Sequence, residues 1–221
     1  MEGRMKFTAS GDALIMRNFP ENYEGYEAVK DFIGQGEARI TNLETTLTER
    51  DCFPSTFSGG TWLTAPENVL DDLEGLGFNF YSVANNHMLD YSYGGLFRTL
   101  EALKRRGLHF AGAGENLARA SEPVIADLPS GRVAFLAVTS TFDDSARAGV
   151  QGPYLPGRPG VNFLRHKEIF YINSSHMQQL KEIADVTDLN VKNKRRYKTG
   201  YKLQAQDGTF ELKELQFKER E

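Results

Sequence analysis

Apolar positions along the chain follow two rhythms, one of short buried runs and one spaced by three and four residues. Met5 to Asp12 reads as a short, partly buried strand that ends in a Gly11-Asp12 turn. Apolar residues at 26, 29, 32 and 33 predict a helix over Tyr26 to Ile33, closed by Gly34 and Gly36. Ala38 to Glu44 supplies the next strand, with polar residues at its exit. Thr45 to Gly60 is rich in turn formers and aromatics and reads as an irregular loop over the strand ends, anchored at its far side by Trp62. Pro66 opens a helix whose apolar face is Val69, Leu70, Leu73 and Leu76. Phe78 to Ala84 is then a buried strand delivering Asn85-Asn86-His87. Leu96, Phe97, Leu100 and Leu103 mark another helix, stopped at Gly107, and Leu108 to Phe110 begins a fourth strand.

Beyond Glu115–Ala120, a short helix, the rhythm changes. Val124–Asp127 and Val133–Thr139 read as a hairpin joined at Leu128-Pro129-Ser130-Gly131. Gly149 to Gly160 holds four glycines and three prolines in twelve residues, which excludes regular structure and predicts a boundary near 160. The expected organisation is therefore a main α/β portion over 1–160 and a helix plus β-hairpin segment over 161–221. In that segment Ser174 to Val186 is a helix, and Tyr197–Leu203 with Thr209–Leu215 alternate around Gln206-Asp207-Gly208.

Composition adds constraints. At 221 residues, 40% apolar and 25% charged, the chain is long enough to bury a core without disulfides, and its one cysteine, Cys52, forms none within the chain. No apolar run approaches the ~20 residues that span a bilayer, and Met1 to Lys6 lacks the apolar core of a secretory signal. As written the chain is cytoplasmic, or membrane-associated or extracytoplasmic if an amino-terminal anchor was removed. Residues 1–160 carry 14 basic against 21 acidic side chains and residues 161–221 carry 12 against 9. An acidic main portion argues against a nucleic-acid surface there.

The chemistry lies at strand exits. Asp12, Asn42 with Glu44, and Asn86 with His87 each fall just past a predicted strand. The carboxyl ends of parallel strands share one edge, so groups ~30–45 residues apart can converge there. Two carboxylates, an amide and an imidazole suit Mn²⁺, Fe²⁺, Zn²⁺ or Mg²⁺ better than a thiolate-seeking metal.

These residues also carry a resemblance. Gly11-Asp12 with Arg17, Asn42-Leu43-Glu44, Ala84-Asn85-Asn86-His87-Met88-Leu89-Asp90 with Gly94, and Gly112-Ala113-Gly114 with Asn116 and Ala120 resemble the successive motifs of the CapA family. That family comprises bacterial capsule and poly-γ-glutamate synthesis proteins of metallophosphoesterase (calcineurin-like) fold. The resemblance covers roughly residues 5–160 and implies a layered α/β sandwich of mixed sheets flanked by helices. It implies Asp12, Glu44 and Asn86 as metal ligands and His87 as the acid that protonates a leaving oxygen. It also implies Asp90 as the group that orients His87, with Arg17 and Asn42 on the substrate. The expected substrate is anionic, a phosphoester or a poly-γ-glutamate-like polymer, with no nucleic acid.

Two departures accompany it. Position 14 is Leu14, where the wider superfamily has a histidine of an Asp-x-His motif, and the later His-Trp-Gly and Gly-His-x-x-His motifs do not occur before Glu221. The chain then reads as an amino-terminal portion, incomplete at its C-terminus, with two-metal catalysis weakened or absent.

Plainer roles stand beside these. Asp12 can satisfy turn amides, Asn42 and Glu44 can bond at a strand end, Asn85 to His87 can build a turn, Asp90 can cap a helix, and Arg17 can be a surface cation. Gly112-Ala113-Gly114 is no dinucleotide fingerprint, because Leu117 stands where a third glycine belongs. The basic run Lys192, Lys194, Arg195, Arg196 and Lys198 reads as a solvated approach to the hairpin. Two functions lead, a metal-dependent phosphoester-type hydrolase or a non-catalytic binding or assembly subunit for an anionic polymer; a third, a nucleic-acid-binding module centred on residues 192–202, predicts affinity that falls steeply with salt.

Overall fold

The structure is a computed structural model that describes residues 4–20, 22–58, 60–205 and 207–220. The chain divides into two compact units, Met1–Leu164 and Arg165–Glu221.

The first unit opens with β1 (Phe7–Ala13), α1 (Tyr26–Ile33) and β2 (Ala38–Leu43), then two-residue strands β3 (Thr46–Leu47) and β4 (Thr64–Ala65). It continues through α2 (Val69–Gly75), β5 (Phe80–Ser82), α3 (Ser92–Arg105), β6 (His109–Ala111), β7 (Ala113–Gly114) and α4 (Leu117–Ala120). The hairpin β8 (Val124–Leu128) and β9 (Gly131–Phe135), a single 3₁₀ turn at Asp144–Ala146 and β10 (Gly160–Val161) complete it. Strands β1, β2, β5 and β6 form one four-stranded parallel sheet in that spatial order.

Each parallel strand is short, and its two faces go to different layers, as a period of two requires. Leu43, Tyr81 and Val83 face Ile33 of α1, Val69, Leu70 and Leu73 of α2 and Leu96 and Leu103 of α3. Ala38 and Phe80 face the hairpin residues Ala126 and Val133, with the Phe135 ring edge-on to Phe80 at 5.6 Å. Helices, sheet and hairpin thus give the layered α/β arrangement expected for this sequence.

The sequence expectation differs from the structure at several ends. Thr46–Leu47 is not loop but a strand paired in parallel with Thr64–Ala65. Pro66 lies one turn ahead of its helix: Val69 and Leu70 N–H bond back to the carbonyls of Pro66 and Glu67, and α2 begins at Val69. Residues 149–159 are irregular as expected while Gly160 opens β10, yet Leu117 N–H bonds the Gly149 carbonyl and Gly149 bridges Arg158, so the stretch is folded into the first unit.

The second unit contains β11 (Ile169–Ile172), α5 (Ser174–Val186), α6 (Val191–Lys198), β12 (Phe210–Leu212) and β13 (Leu215–Glu219). Here the expected hairpin is corrected. The basic run lies on α6, and residues 199–205 are irregular rather than strand. Asp207 bonds Thr209, so a turn exists there, although Gln206 lies outside the described residues. The paired strands are instead β12 and β13, joined at Lys213-Glu214 with Lys213 at φ 55°.

Candidate functional site at the strand ends

Residues Asp12, Asn42 and Ser82 stand in one row across β1, β2 and β5. The row depends on a bulge. Ala9 pairs with Ile40 but Asp12 with Asn42, so β1 spends one extra residue between them. Ser10 Oγ donates to Thr41 Oγ1 (2.9 Å), and Thr41 Oγ1 donates to the Gly11 carbonyl (3.2 Å), which holds the bulge shut. Without the extra residue Asp12 would project to the other face.

Side-chain amides then knit the row together. Asn42 Nδ2 donates to Asp12 Oδ1 at 2.9 Å, and Asn42 Oδ1 accepts from Asn85 Nδ2 at 3.1 Å. Asn85 Nδ2 also donates to the Leu43 carbonyl, and Asn85 Oδ1 accepts the His87 N–H (3.1 Å). Asn42 therefore spends both ends of its amide within the cluster. Asn85 carries the contact between β2 and the His87 turn, a role its sequence position did not signal.

His87 is buried, and its orientation is fixed from behind. Its Nδ1 lies 2.8 Å from Asp90 Oδ2, which also accepts the Leu63 N–H at 2.8 Å. Thr46 Oγ1 donates to the His87 carbonyl (2.7 Å). Gly95 makes that contact possible, since a Cβ there would sit 2.5 Å from Thr46 Cγ2 and 2.7 Å from Tyr91 Cβ. With Nδ1 held by Asp90, Nε2 is the nitrogen left toward the cluster, 3.9 Å from Glu44 Oε1.

Glu44 is the perturbed acid. Burial first, and then the neighbouring Asp12 carboxyl, push its pKa up to about 7, against the pull of His87. Its Oε2 is buried without a hydrogen-bond partner. Asp12 itself is exposed.

Of the predicted site residues, the structure brings Asp12, Asn42, Glu44, His87 and Asp90 together. Asn86 is half-buried and borders a cavity of about 150 Å³. Arg17 is exposed, and among the described residues no bond joins it to the cluster. Gly112, at the end of β6, has φ 113°, and a Cβ there would meet Ala84 Cβ at 2.6 Å, so this glycine serves close packing of strand ends.

Two carboxyl groups, an amide and an imidazole suit a divalent cation chemically, and the partnerless Glu44 oxygen is what such an ion would satisfy. Among the described residues, however, no group of three His, Cys, Asp or Glu side chains stands close enough to form a ligand set by itself.

Fold and site together define a layered α/β protein with an acid, amide and imidazole cluster at the carboxyl edge of a parallel sheet. The chain belongs to the bacterial capsule synthesis protein family PGA_cap, whose family model matches residues 6–191. It is 29% identical over 181 residues to the uncharacterized protein y4sH of Sinorhizobium fredii (strain NBRC 101917 / NGR234), a match covering 80% of this chain and 39% of that protein. Protein y4uA of the same strain matches equally. The capsule biosynthesis protein CapA of Bacillus anthracis is 35% identical over 91 residues, 41% of this chain and 22% of CapA. The chain thus spans about two fifths of the length of the y4sH and y4uA proteins. Among the described residues no helix is long and apolar enough to cross a membrane.

Proposed function

We propose that this chain carries the strand-end half of a metal-dependent, phosphoester-type hydrolase site serving capsule polymer synthesis. One observation carries the reading: two carboxyl groups abut beside an oriented imidazole, and one carboxyl oxygen is buried without a partner. Asp12 and Glu44 would hold the cation, with Asn86 as the amide ligand and Mn, Fe, Zn or Mg as the metal. A bound divalent cation supplies polarisation of a phosphoryl or acyl oxygen and the counter-charge that lets both acids ionise.

The chain's own residues do the rest. Asp90 fixes the imidazole so that Nε2 faces the cluster. From Nε2 the proton passes to the leaving oxygen. Asn42 and Asn85 hold Asp12 and the His87 turn in register, so that the acids and the imidazole keep one geometry. Arg17, on the loop after β1, is the proposed clamp for substrate anions.

The alternative, a non-catalytic subunit that holds an anionic polymer, is favoured by the absence of a three-residue ligand set among the described residues. Thermal unfolding of the purified chain with and without Mn²⁺, Zn²⁺ or Mg²⁺, together with turnover of bis(p-nitrophenyl) phosphate, separates the two. A midpoint raised by metal in the wild type but not in Asp12→Ala, with turnover lost in His87→Ala, supports hydrolysis. No metal response and no turnover in the wild type overturn it.

A further inference from the structure

A cavity borders Asn86, next in the chain to His87, and its chemistry differs from that of the strand-end acids. Its walls include Ser55, Phe57, Ser92, Tyr93 and Asp143 as well as Asn86, and it holds about 150 Å³, roughly five waters' worth of liquid volume. Among the described residues no lysine, arginine or histidine borders it, and the one charged wall residue is Asp143, a carboxylate. The cavity therefore offers an anion no counter-charge. Phe57 and Tyr93 both line the cavity and are 57% and 42% exposed. A saturated ring lays weakly positive C–H groups on the negative face of an aromatic ring. Serine hydroxyls and a carboxylate pair with its hydroxyl groups.

We propose that this cavity is a subsite for a neutral, polyhydroxylated ring of glycosyl type. It rests on the hydrolytic reading only in placing that ring on the alcohol side of the bond to be cleaved.

The cavity wall and the imidazole share a support. Ser55 N–H donates to the Asp90 carbonyl (2.7 Å), and the Ser55 carbonyl accepts the Trp62 indole N–H (2.8 Å). The Asp90 carboxylate in turn holds His87 Nδ1. A ring seated against Ser55 and Phe57 is thus held relative to His87 through one residue, and Asn86 joins the cavity to His87 along the chain.

Trp62 is the chain's single tryptophan, so its fluorescence reports on Ser55. Titration of the full chain with methyl glucoside and with N-acetylglucosamine is expected to give a saturable change. Tyr93→Ala and Asp143→Ala should each weaken it about tenfold or more, with circular dichroism unchanged. Tyr154→Ala, on a ring 96% exposed and outside the cavity, should leave it intact. Absence of saturation by either sugar, saturation by ethanolamine or inorganic phosphate instead, or unaltered binding in Tyr93→Ala and Asp143→Ala overturns the proposal. Parallel unfolding with Mn²⁺ keeps the two readings apart. Metal stabilisation without sugar binding removes the subsite alone, and sugar binding without metal stabilisation removes the hydrolytic reading alone.

Discussion

Replacing Glu44 by glutamine tests the electrostatics on which the site reading stands. The substitution keeps the shape of the side chain and deletes its charge. In the native state Glu44 titrates at about 7 in place of an ordinary 4.5, chiefly because it is buried and secondarily because Asp12 adjoins it. Below pH 4.5 the residue is protonated in native and unfolded chains alike and has no effect on their balance. Between 4.5 and 7 the unfolded chain releases its proton while the native chain keeps it, so stability falls as pH rises through that window and is level above it. Full linkage sets a ceiling of about 3 kcal/mol. Solvent around the exposed Asp12 screens the carboxyl pair and trims the effect to ~1–2 kcal/mol.

Glu44→Gln should therefore be more stable than the wild type by that amount at pH 8 and equal to it at pH 4. Urea denaturation of both proteins at pH 4, 6 and 8 measures the difference, in which all other titrations cancel. Bound at the proposed cation site, added Mn²⁺ should narrow the gap at pH 8, since only the ionisable side chain can hold it there. A difference that is constant with pH, or a variant less stable at pH 8 than the wild type, refutes the reasoning.

Other perturbations follow from the same contacts. Asp90→Ala leaves the Leu63 N–H and His87 Nδ1 without their acceptor in a buried place, and urea unfolding should show a loss of about 2–4 kcal/mol. Gly95→Ala should destabilise by about 1–3 kcal/mol despite alanine's better helix propensity, because its Cβ meets Thr46 and the Tyr91 stem; thermal melts check the sign. Arg106 bonds Glu67, Asp71 and Glu74 at 3.2, 2.6 and 2.7 Å. Arg106→Met should lose ~1–2 kcal/mol at low salt and less in 1 M NaCl, as partly exposed pairs are screened.

Much of this architecture was legible because its signals are local. The helix over Tyr26 to Ile33 and that over Ser174 to Val186 have the bounds that periodicity sets, and the parallel strands were marked by short apolar runs between helices. Asp12, Glu44 and His87 could be singled out because strand exits are topologically equivalent positions. What was not legible depends on side chains that cross between elements. The bulge at Ser10-Gly11 is visible only once β1 is laid against β2, and Asn85 outranks its neighbours as a connector only once its amide is seen between Asn42 and Leu43. In the second unit, alternation from Tyr197 and the Asp-Gly pair imitated a hairpin. The true turn, Lys213-Glu214, has no glycine to announce it, and the basic residues of α6 are good helix formers whose pattern carries no apolar stripe.

The contacts to Asp90 show how Ser55 and Leu63, between β3 and β4, are tied to the His87 turn. The role proposed for His87 requires a partner on the rear nitrogen, and Asp90 is held by an amide from Leu63 and by its own place at the start of the turn into α3. Ser55, from the middle of the loop, bonds the Asp90 carbonyl, and Trp62 ties Ser55 back to the loop's far end. Leu63 and Ser55 thus clamp Asp90 from two points, one on the side chain and one on the backbone. A loop attached only at its ends would let the carboxylate swing and lose the alignment of Nε2 with Glu44. Two clamps on one residue remove that freedom, and they explain why an irregular segment with few apolar anchors contributes two direct bonds to a buried acid.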